Sequence, residues 1–354
     1  MHMRKRLKKF IGGAVTLAAS VAILGVSPAH AKIVISNWDG YMPADMMEQF
    51  TKATGIEAEL ALHATNEEIM GKVTASGGKG YDVVFVSSPF AEALNELGLA
   101  AKIDHGKMPN MSNLYAEAGK LAYDPGNNFS IPYAWGTTGL CYRSDMVSGT
   151  PDSWNDLLKP SDALKGKVTM LSTDRWLLAA GALSLGYSVN EKDSAKLGQI
   201  KDVLISAKKD LLAYDDATFY AKLVSGEASL VHAWDGWCNY GIGENADIKY
   251  IIPKEGTDLW VDTMVIMDGS DNKAEAHAFI NYVLSKDIGT WVASNILYNT
   301  PNKAAMDSLD PSLIETFPNM GIAPADMLKH EMLRDLGSTQ KAYTKIVTEI
   351  LSSQ

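Results

Sequence analysis

From residue 32 onwards, the chain alternates between two patterns of hydrophobic and polar positions. Short apolar runs, rich in β-branched residues and bounded by polar residues or glycine, predict buried strands. Longer segments between them carry apolar residues at helical spacing. The predicted strands are 32–38, 82–88, 166–171, 229–233 and 248–252. The predicted helices include 43–55, a segment that ends at Gly98, and 274–284.

Repeated strand–helix units indicate an α/β protein whose parallel or mixed sheets are flanked by helices. A chain of this length exceeds the usual size of one hydrophobic core, so two domains are expected. No linker-like tract divides the sequence, and we therefore expect strands that cross between the domains. The apolar segments 134–142 and 259–267 are the candidate crossings, with a third near 302–306. The predicted division is 32–138 plus 260–305 for domain 1 and 139–259 plus 306–354 for domain 2, with a ligand cleft between them.

The first 31 residues have the pattern of a secretory signal peptide. A basic start is followed by an uncharged apolar stretch, and Ala29 and Ala31 form a small-x-small cleavage site. The alternative is an uncleaved anchor, but the apolar stretch is about 16 residues, short of the roughly 20 that span a bilayer. We therefore expect cleavage after Ala31, localisation in the periplasm and no membrane insertion of the mature chain.

Charge further limits the possible partners. Residues 1–31 carry five positive charges and no negative ones, so their removal takes the formal net charge from −10 to −15. An acidic protein without a Lys/Arg tract is a poor partner for nucleic acid. It would attract a small cation.

The search for catalytic motifs is negative. The chain has no nucleophile elbow, P-loop, H-E-x-x-H helix or G-x-G-x-x-G turn. Its histidines are not paired at metal-ligand spacing. We therefore expect no enzyme activity, no metal and no cofactor. Cys141 and Cys238 could form a disulfide in an exported protein, and the sequence leaves this open.

Aromatic residues beside acids are the positive signal. Trp260 and Asp262 stand at positions i and i+2 of a predicted strand, so their side chains share one face about 6.5 Å apart. One ammonium group could contact both, through a charge-assisted hydrogen bond and a cation–π interaction. A core tryptophan beside a hydrogen-bonded acid is the alternative. Further aromatic loops follow other predicted strands and contain Trp38, Asp39 and Tyr41, then Trp234 and Trp237, and finally Tyr298.

These blocks, in this order, resemble the periplasmic spermidine/putrescine-binding proteins of polyamine ABC transporters. The likeness rests on Asn37-Trp38-x-x-Tyr41, Glu48-Gln49-Phe50-Thr51-Lys52-x-Thr54-Gly55-Ile56, Tyr81-Asp82-x-Val84-x-x-Ser87, Ser130-Ile131-Pro132-Tyr133-x-Trp135-Gly136-x-Thr138, Ser153-Trp154-x-Asp156-Leu157, Leu185-Gly186-Tyr187-Ser188, Trp260-x-Asp262 and Tyr298-x-Thr300-Pro301-Asn302. The resemblance implies a hinged two-domain binding protein that closes on its ligand. It also implies ligand contacts at Trp38, Tyr41, Trp234, Trp260, Asp262 and Tyr298, with Ser87 and Ser88 on a binding loop of domain 1.

Departures from the family pattern bear on the ligand. An acid that commonly precedes the tyrosine is Gly40 here, with Asp39 one position earlier. Trp176 stands where the family has a ligand-binding Glu, and Trp237 stands where putrescine binders have an acid. We therefore expect a pocket that is less acidic and more aromatic, for a ligand with one firmly held amine.

Several ligand classes and two roles fit this prediction. The main hypothesis is a monomeric receptor that delivers a polyamine or related amine to an ABC permease in the inner membrane. The alternatives are a receptor for a mono-amine or an ω-amino acid such as γ-aminobutyrate, or a ligand-sensing signalling receptor on the same fold. The carboxylate of an amino acid could be held by the helix start at 43–46 or by Arg175.

Overall fold

The computed structural model describes residues 32–353. The predicted signal peptide lies outside the described residues. The strands are β1 Ile33–Asn37, β2 Ala58–Leu62, β3 Val83–Ser87, β4 Ile131–Arg143, β5 Val168–Met170, β6 Ala213–Tyr214, β7 Leu230–Trp234, β8 Ile248–Ile251, β9 Asp258–Ile266 and β10 Glu331–Met332. The α-helices are α1 Met46–Thr54, α2 Asn66–Ala75, α3 Ser88–Glu96, α4 Trp154–Leu158, α5 Asp174–Ser184, α6 Ser194–Lys208, α7 Phe219–Ser225, α8 Asp235–Glu244, α9 Lys273–Val283, α10 Lys286–Trp291, α11 Lys303–Met306, α12 Pro311–Thr316, α13 Pro324–Met327 and α14 Gln340–Ser352.

The strands form one continuous mixed sheet with the order β2-β1-β3-β9-β4-β7-β5-β6. Strand β8 adds to β4 and β10 adds to β9. Strand β1 pairs in parallel with β2 and β3, and β5 pairs in parallel with β6 and β7. Between these two parallel groups, β9 runs antiparallel to β3 and β4. The predicted α/β class with mixed sheets flanked by helices is confirmed.

Strand β4 joins the two parallel groups. Its residues 131–137 pair with β9, and residues 138–142 pair with β7. Strand β9 follows β8 and a short connection, so the chain passes the same point a second time in the opposite direction. The segments 134–142 and 259–267 fall largely within these strands, whereas 303–306 form the short helix α11. The division into domains at the predicted residues stays a prediction.

Burial in the core explains why the predicted segments fold as strands and helices. All five residues of β3 are buried, as expected for a strand covered on both faces. Helix α1 buries Met46 and Phe50 and ends at Gly55, whose φ of 77° lies in the left-handed region that glycine adopts readily. Helix α14 packs against α5 and α6. Within residues 32–353, no helix is both long and apolar enough to cross a membrane.

Cys141 and Cys238 form a disulfide, with their Cα atoms 5.9 Å apart. The bond ties β4 to the buried face of α8. The sequence left this pairing open because the two residues are 97 positions apart. The antiparallel pairing of β4 with β7, which leads directly into α8, brings them together.

Candidate functional site

A cavity of about 400 Å³ opens between the two parallel groups of strands. Its lining includes ten of the eleven residues predicted from the sequence. They are Trp38, Asp39, Tyr41, Ser87, Trp176, Trp234, Trp237, Trp260, Asp262 and Tyr298. A volume in this range is typical of pockets for small organic ligands.

Ser88 is the predicted residue that does not line the cavity. It is fully buried, and its hydroxyl donates to the carbonyl of Leu333 at 3.4 Å. Helix α3 begins at Ser88, so the chain turns away from the cavity immediately after Ser87. The next residue that returns to the cavity is Phe90.

The cavity forms where the carboxyl ends of the parallel strands meet. Residues 38–41 follow β1, 64–67 follow β2, and 173–176 follow β5. Ser87 ends β3, and Trp234 ends β7. This edge of an open α/β sheet is the usual place for a ligand. Trp260 and Asp262 come from β9, which runs between the two groups.

Both carboxylate oxygens of Asp262 accept hydrogen bonds from neighbouring side chains in the cavity. The Tyr41 hydroxyl donates to its Oδ2 at 2.7 Å, and the Ser87 hydroxyl donates to its Oδ1 at 2.7 Å. Burial raises the pKa of Asp262, while these two hydroxyl donors act in the opposite direction. Each oxygen retains a lone pair for another donor. The carboxylate is therefore held in one orientation and can still accept a bond from a ligand.

A second layer of hydrogen bonds fixes the two hydroxyl donors. The Asn66 side chain accepts from the Ser87 backbone N–H at 2.9 Å and donates to the Ser87 hydroxyl at 3.2 Å. The Tyr133 hydroxyl donates to the backbone carbonyl of Tyr41 at 2.5 Å. Asp262 is thus positioned by residues from the ends of β1, β2 and β3. No pattern in the sequence points to Asn66, because its role depends on contacts made across the sheet.

Aromatic rings surround the carboxylate. The rings of Trp260 and Tyr298 are 4.8 Å apart in an edge-to-face arrangement, and those of Trp38 and Tyr41 are 5.3 Å apart. Tyr41 and Tyr298 approach to 6.3 Å. These spacings are typical of stable aromatic pairs. The ring faces that remain free can receive a cation.

The wall of the cavity opposite Asp262, here called the tryptophan wall, consists of Trp176, Trp234 and Trp237. Trp176 at the start of α5 and Trp234 at the end of β7 meet edge to face, with their ring centroids 5.4 Å apart. Trp237 packs on Phe219 and Tyr220 at 5.9 and 5.7 Å. Because each indole is supported by another ring, this wall is rigid and apolar.

Three acids of the lining were not among the predicted site residues. They are Glu67, Asp174 and Asp216. The side chain of Glu67 is exposed and makes no hydrogen bond with the described residues. Asp216 accepts from the backbone N–H and the hydroxyl of Ser172, and Asp174 accepts from the Thr344 hydroxyl at 2.6 Å. With Asp39 and Asp262, the lining carries five carboxylates.

Arg175 is the basic residue of the lining, and it is bound to the protein itself. Its two terminal nitrogens donate to the Arg334 carbonyl and to Oδ1 of Asn190, both at 2.6 Å. Its guanidinium also lies over the ring of Tyr343 at 5.6 Å. Burial lowers the pKa of Arg175. Both terminal nitrogens of the guanidinium are thus engaged by protein oxygens, each through one of its two N–H groups, and residues 43–46 do not line the cavity.

The arrangement is suited to binding a small ligand. It combines one oriented carboxylate, two aromatic walls and a rim of acids. Among residues 32–353, no three His, Cys, Asp or Glu side chains cluster as a metal site would. A cleft of this kind between two groups of parallel strands, joined by strands that pass between them, defines a two-domain solute-binding protein.

Comparison with known proteins agrees with this class. The family model described as bacterial extracellular solute-binding protein matches residues 45–314. The chain therefore belongs to the bacterial extracellular solute-binding proteins.

Individual relatives cover nearly the whole chain. The spermidine/putrescine-binding periplasmic protein of Escherichia coli strain K12 is 31% identical over 336 residues, which are 92% of this chain and 94% of that protein. The putrescine/cadaverine-binding protein of Pseudomonas aeruginosa is 28% identical and covers 94% and 98% of the two chains. The solved structure of the spermidine/putrescine ABC transporter substrate-binding protein of Streptococcus pneumoniae is 28% identical, with a TM-score of 0.77 and coverage of 90% and 98%. The resemblance predicted from the sequence is confirmed.

Proposed function

We propose that this protein is exported to the periplasm, binds a polyamine or a related cationic amine, and delivers it to the permease of an ABC importer. The observation that carries the proposal is the Asp262 carboxylate, which is oriented by the hydroxyls of Tyr41 and Ser87 and surrounded by aromatic rings. An ammonium group can bond to the carboxylate and contact a ring face at the same time.

The charges of the cavity support a cationic ligand. Five carboxylates line it, and the guanidinium of Arg175 is turned towards Arg334 and Asn190. The acids on the rim add a field that attracts positive charge. Relatives across most of the chain are named as binders of spermidine, putrescine and cadaverine, all of which are cationic amines.

The same contacts weigh against an ω-amino acid. Its carboxylate would need a cationic partner turned towards it, and the terminal nitrogens of Arg175, the basic residue of the lining, each already donate one N–H to a protein oxygen. Releasing them would leave a buried charge with fewer hydrogen bonds, which is costly. We therefore place amines without a carboxylate ahead of γ-aminobutyrate.

Ligand capture would proceed by closure of the cleft. Strands β4 and β9 pass between the two groups of strands, and the tryptophan wall and the Asp262 wall lie on opposite sides of this crossing. Small rotations about the crossing would bring the two walls together around the ligand. The closed form would then present one rim of each domain to the permease.

A panel of thermal shifts tests the proposal. Putrescine, cadaverine, spermidine and γ-aminobutyrate are added separately to the wild type, because a ligand that binds the folded state raises its apparent stability, by about 2.7 kcal/mol at a concentration of 100 Kd. We expect at least one amine to raise Tm clearly and γ-aminobutyrate to leave it unchanged.

Asp262→Asn supplies the matched control, since it keeps the size and the hydrogen-bond acceptor and removes the charge. Loss of an ammonium–carboxylate contact in a buried site costs about 2–5 kcal/mol, so the amine-induced shift should nearly disappear. The proposal is wrong if γ-aminobutyrate gives the largest shift, or if Asp262→Asn responds to the amine as the wild type does.

A further inference from the structure

A short segment near the C-terminus lies beside the crossing strand β9. Residues 331–335, here called the strap, begin with β10, which pairs in parallel with the first two residues of β9. The backbone N–H of Leu333 then donates to the carbonyl of Leu259 at 3.1 Å. Among the described residues that line the cavity, none belongs to the strap. Its hydrogen bonds nevertheless reach two helices that carry cavity residues.

Helix α3 holds the strap from the side of Asp262. The Ser88 hydroxyl donates to the carbonyl of Leu333 at 3.4 Å. One helical turn later, the two carboxylate oxygens of Glu92 accept from Nε of Arg334 at 3.1 and 3.0 Å, and Oε1 also accepts from Nη2 of Arg334. Oε2 of Glu92 accepts in addition from the backbone N–H of Asp335 at 2.8 Å. One carboxylate of α3 thus binds two consecutive residues of the strap.

Asn190 and Arg175 hold the strap from the side of the tryptophan wall. Oδ1 of Asn190 accepts from the backbone N–H of Arg334 at 2.9 Å, and its Nδ2 donates to the carbonyl of Met332 at 2.8 Å. Arg175 donates to the carbonyl of Arg334 and to the same Oδ1 of Asn190, both at 2.6 Å. Because Arg175 is the second residue of α5 and precedes Trp176, these bonds tie the strap to the start of that helix.

Arg334 is the residue at which the two sets of bonds meet. Its guanidinium bonds to α3, while its backbone N–H and carbonyl bond to Asn190 and Arg175. Helix α3 begins directly after Ser87, the residue that donates to Asp262. Arg334 therefore connects the helix behind one wall of the cavity to the helix that begins the other.

The ion pair between Arg334 and Glu92 differs from an ordinary surface pair. The side chain of Glu92 is 14% exposed and that of Arg334 is 39% exposed, so solvent screens the contact only in part. Two nitrogens of the guanidinium bond to the carboxylate, an arrangement that fixes direction as well as distance. A single contact between fully exposed charges contributes little, whereas a bidentate pair with defined geometry can hold two elements together.

We propose that Arg334 is a positioning residue: its bidentate bond with Glu92 ties α3 to the start of α5 through the strap, and so sets the distance between Asp262 and the tryptophan wall. Arg334 does not touch the ligand. This inference rests on the proposed function in so far as it concerns amine binding, but the spacing of the helices can be measured without any ligand.

The first measurement therefore uses the ligand-free protein. Nitroxide labels are attached to Asn95→Cys on α3 and Ala195→Cys on α6, which packs against α5, because both positions are exposed. Cys141 and Cys238 are bonded to each other and do not react with the label. Double electron–electron resonance gives the distribution of distances between the two labels. Glu92→Gln keeps the size of the side chain and removes its charge, and we expect it to broaden this distribution.

Asp145→Asn is the matched control for the label distances. Asp145 accepts two hydrogen bonds from the guanidinium of Arg143, both at 2.7 Å, and neither residue lines the cavity. The control thus removes the acid of another bidentate pair and leaves the strap intact. The distance distribution should stay as in the wild type. Equal broadening in Asp145→Asn and Glu92→Gln would contradict the inference.

The second measurement is the binding of putrescine and spermidine at pH 7.5, by calorimetry for affinity and by stopped flow for rates. We expect Glu92→Gln and Arg334→Gln each to weaken binding by roughly 3- to 10-fold. The loss should lie mainly in faster dissociation. The double variant should bind as the single variants do, because the two side chains act as one unit. Arg334→Lys should not restore affinity, since an ammonium group lacks the planar pair of donors.

Two results would overturn the inference. In the first, Glu92→Gln and Arg334→Gln lower Tm but keep the amine affinity and the label distances of the wild type, so that the pair only stabilises the fold. In the second, the losses of affinity in the single variants add up in the double variant, so that the two residues act separately. If neither amine binds the wild type, the proposed function fails, and the label distances still decide the role of Arg334.

Discussion

The hydroxyl of Tyr41 donates a 2.7 Å hydrogen bond to Oδ2 of Asp262, although the two residues are 221 positions apart in the chain. Ser87 supplies the matching bond to Oδ1. Burial raises the pKa of Asp262, and the two hydroxyl donors act against this rise, so both bonds favour the ionised form of the carboxylate. The affinity of the site for a cation thus depends on groups that need not touch the cation.

Tyr41→Phe removes one of these donors and keeps the ring. The ionised form of Asp262 then loses a hydrogen bond, so its pKa should rise further. A proton will compete with the ligand at a higher pH than in the wild type. We expect the acid limb of a plot of amine affinity against pH to move to higher pH, with a modest loss of affinity at pH 7.5. Calorimetric titration with putrescine between pH 5 and 8 measures both effects.

Tyr133→Phe is the matched control for this experiment. The hydroxyl of Tyr133 bonds to the backbone carbonyl of Tyr41 and not to Asp262. Its removal should leave the position of the acid limb unchanged. Equal displacement of the limb in both variants would contradict a direct effect of Tyr41 on the carboxylate.

The acids on the rim should act on the rate of association. Asp39 and Glu67 are exposed, line the cavity and make no hydrogen bonds through their carboxylates with the described residues. Their charges are screened by salt over about 10 Å at 0.1 M. The double variant Asp39→Asn/Glu67→Gln should therefore bind putrescine a few-fold more slowly at low ionic strength, with a similar dissociation rate.

Stopped-flow fluorescence at low and at moderate salt measures this difference. Glu227→Gln serves as the control, because Glu227 is exposed but does not line the cavity. The double variant should show a weaker salt dependence than either the wild type or the control. A change confined to the dissociation rate would mean that these acids contact the bound ligand and do not steer it.

Much of the candidate site could be predicted because its residues follow simple rules of position. Trp260 and Asp262 share a strand face, and Trp38, Asp39 and Tyr41 follow the end of a strand whose hydrophobic pattern is unmistakable. Glu67 and Asp216 obey the same rule, but their strands gave little signal. Strand β2 reads Ala-Glu-Leu-Ala-Leu and is mostly exposed, and β6 has only two residues.

Other features depend on contacts that no local pattern encodes. Ser88 lies next to a cavity residue in sequence, yet helix α3 begins there and directs it into the core. The sequence places Arg175 where it could hold a carboxylate, but its terminal nitrogens donate to Asn190 and to the carbonyl of Arg334, which are distant or unpatterned in the chain.

Gly236 is required because Tyr298 packs directly against it. A Cβ atom at Gly236 would lie 2.1 Å from Cδ1 of Tyr298, far inside van der Waals contact. Gly236→Ala must therefore displace a ring that pairs with Trp260 in the cavity. Overpacking of this kind costs about 1–3 kcal/mol, so both Tm and amine affinity should fall.

Gly198→Ala in helix α6 is a suitable comparison, because a Cβ atom there meets nothing within 4 Å. That substitution should be neutral or stabilising, since alanine favours helix more than glycine does. If Gly236→Ala binds the amine with wild-type affinity, the ring of Tyr298 is not needed in its present position.

The disulfide should contribute to stability without contributing to binding. Cys141 and Cys238 are fully buried, close a loop of 97 residues and do not line the cavity. The double variant Cys141→Ala/Cys238→Ala should lower the free energy of unfolding by about 2–5 kcal/mol. Urea denaturation measures this loss, and the free energy of unfolding of the wild type with reductant should approach that of the variant.

The putrescine affinity should stay within about twofold, since the cavity walls are supported by other contacts. Free thiols in the oxidised wild type would contradict the pairing.

His232 should make the protein more sensitive to acid. It is fully buried in β7, neither ring nitrogen has a partner among the described residues, and its ring lies 5.1 Å from that of Trp154. Burial lowers its pKa to about 3, against about 6.5 in an unfolded chain. The unfolded state therefore binds one more proton than the folded state between these values. The resulting stability is complete above pH 6.5 and is lost progressively as the pH falls towards 3.

His232→Leu removes this proton uptake and leaves the other buried groups in place. His63, whose pKa burial lowers to about 4, acts in the same direction, while Asp235 and Asp258 with raised pKa values act in the opposite one. These contributions are common to both proteins and cancel in the comparison. Relative to the wild type, the variant should therefore gain about 1.4 kcal/mol in the free energy of unfolding for each pH unit below 6. Urea denaturation at pH 4, 5, 6 and 7 gives the two curves. Parallel curves would mean that His232 is protonated in the folded protein, which a buried imidazole without a hydrogen-bond partner should resist.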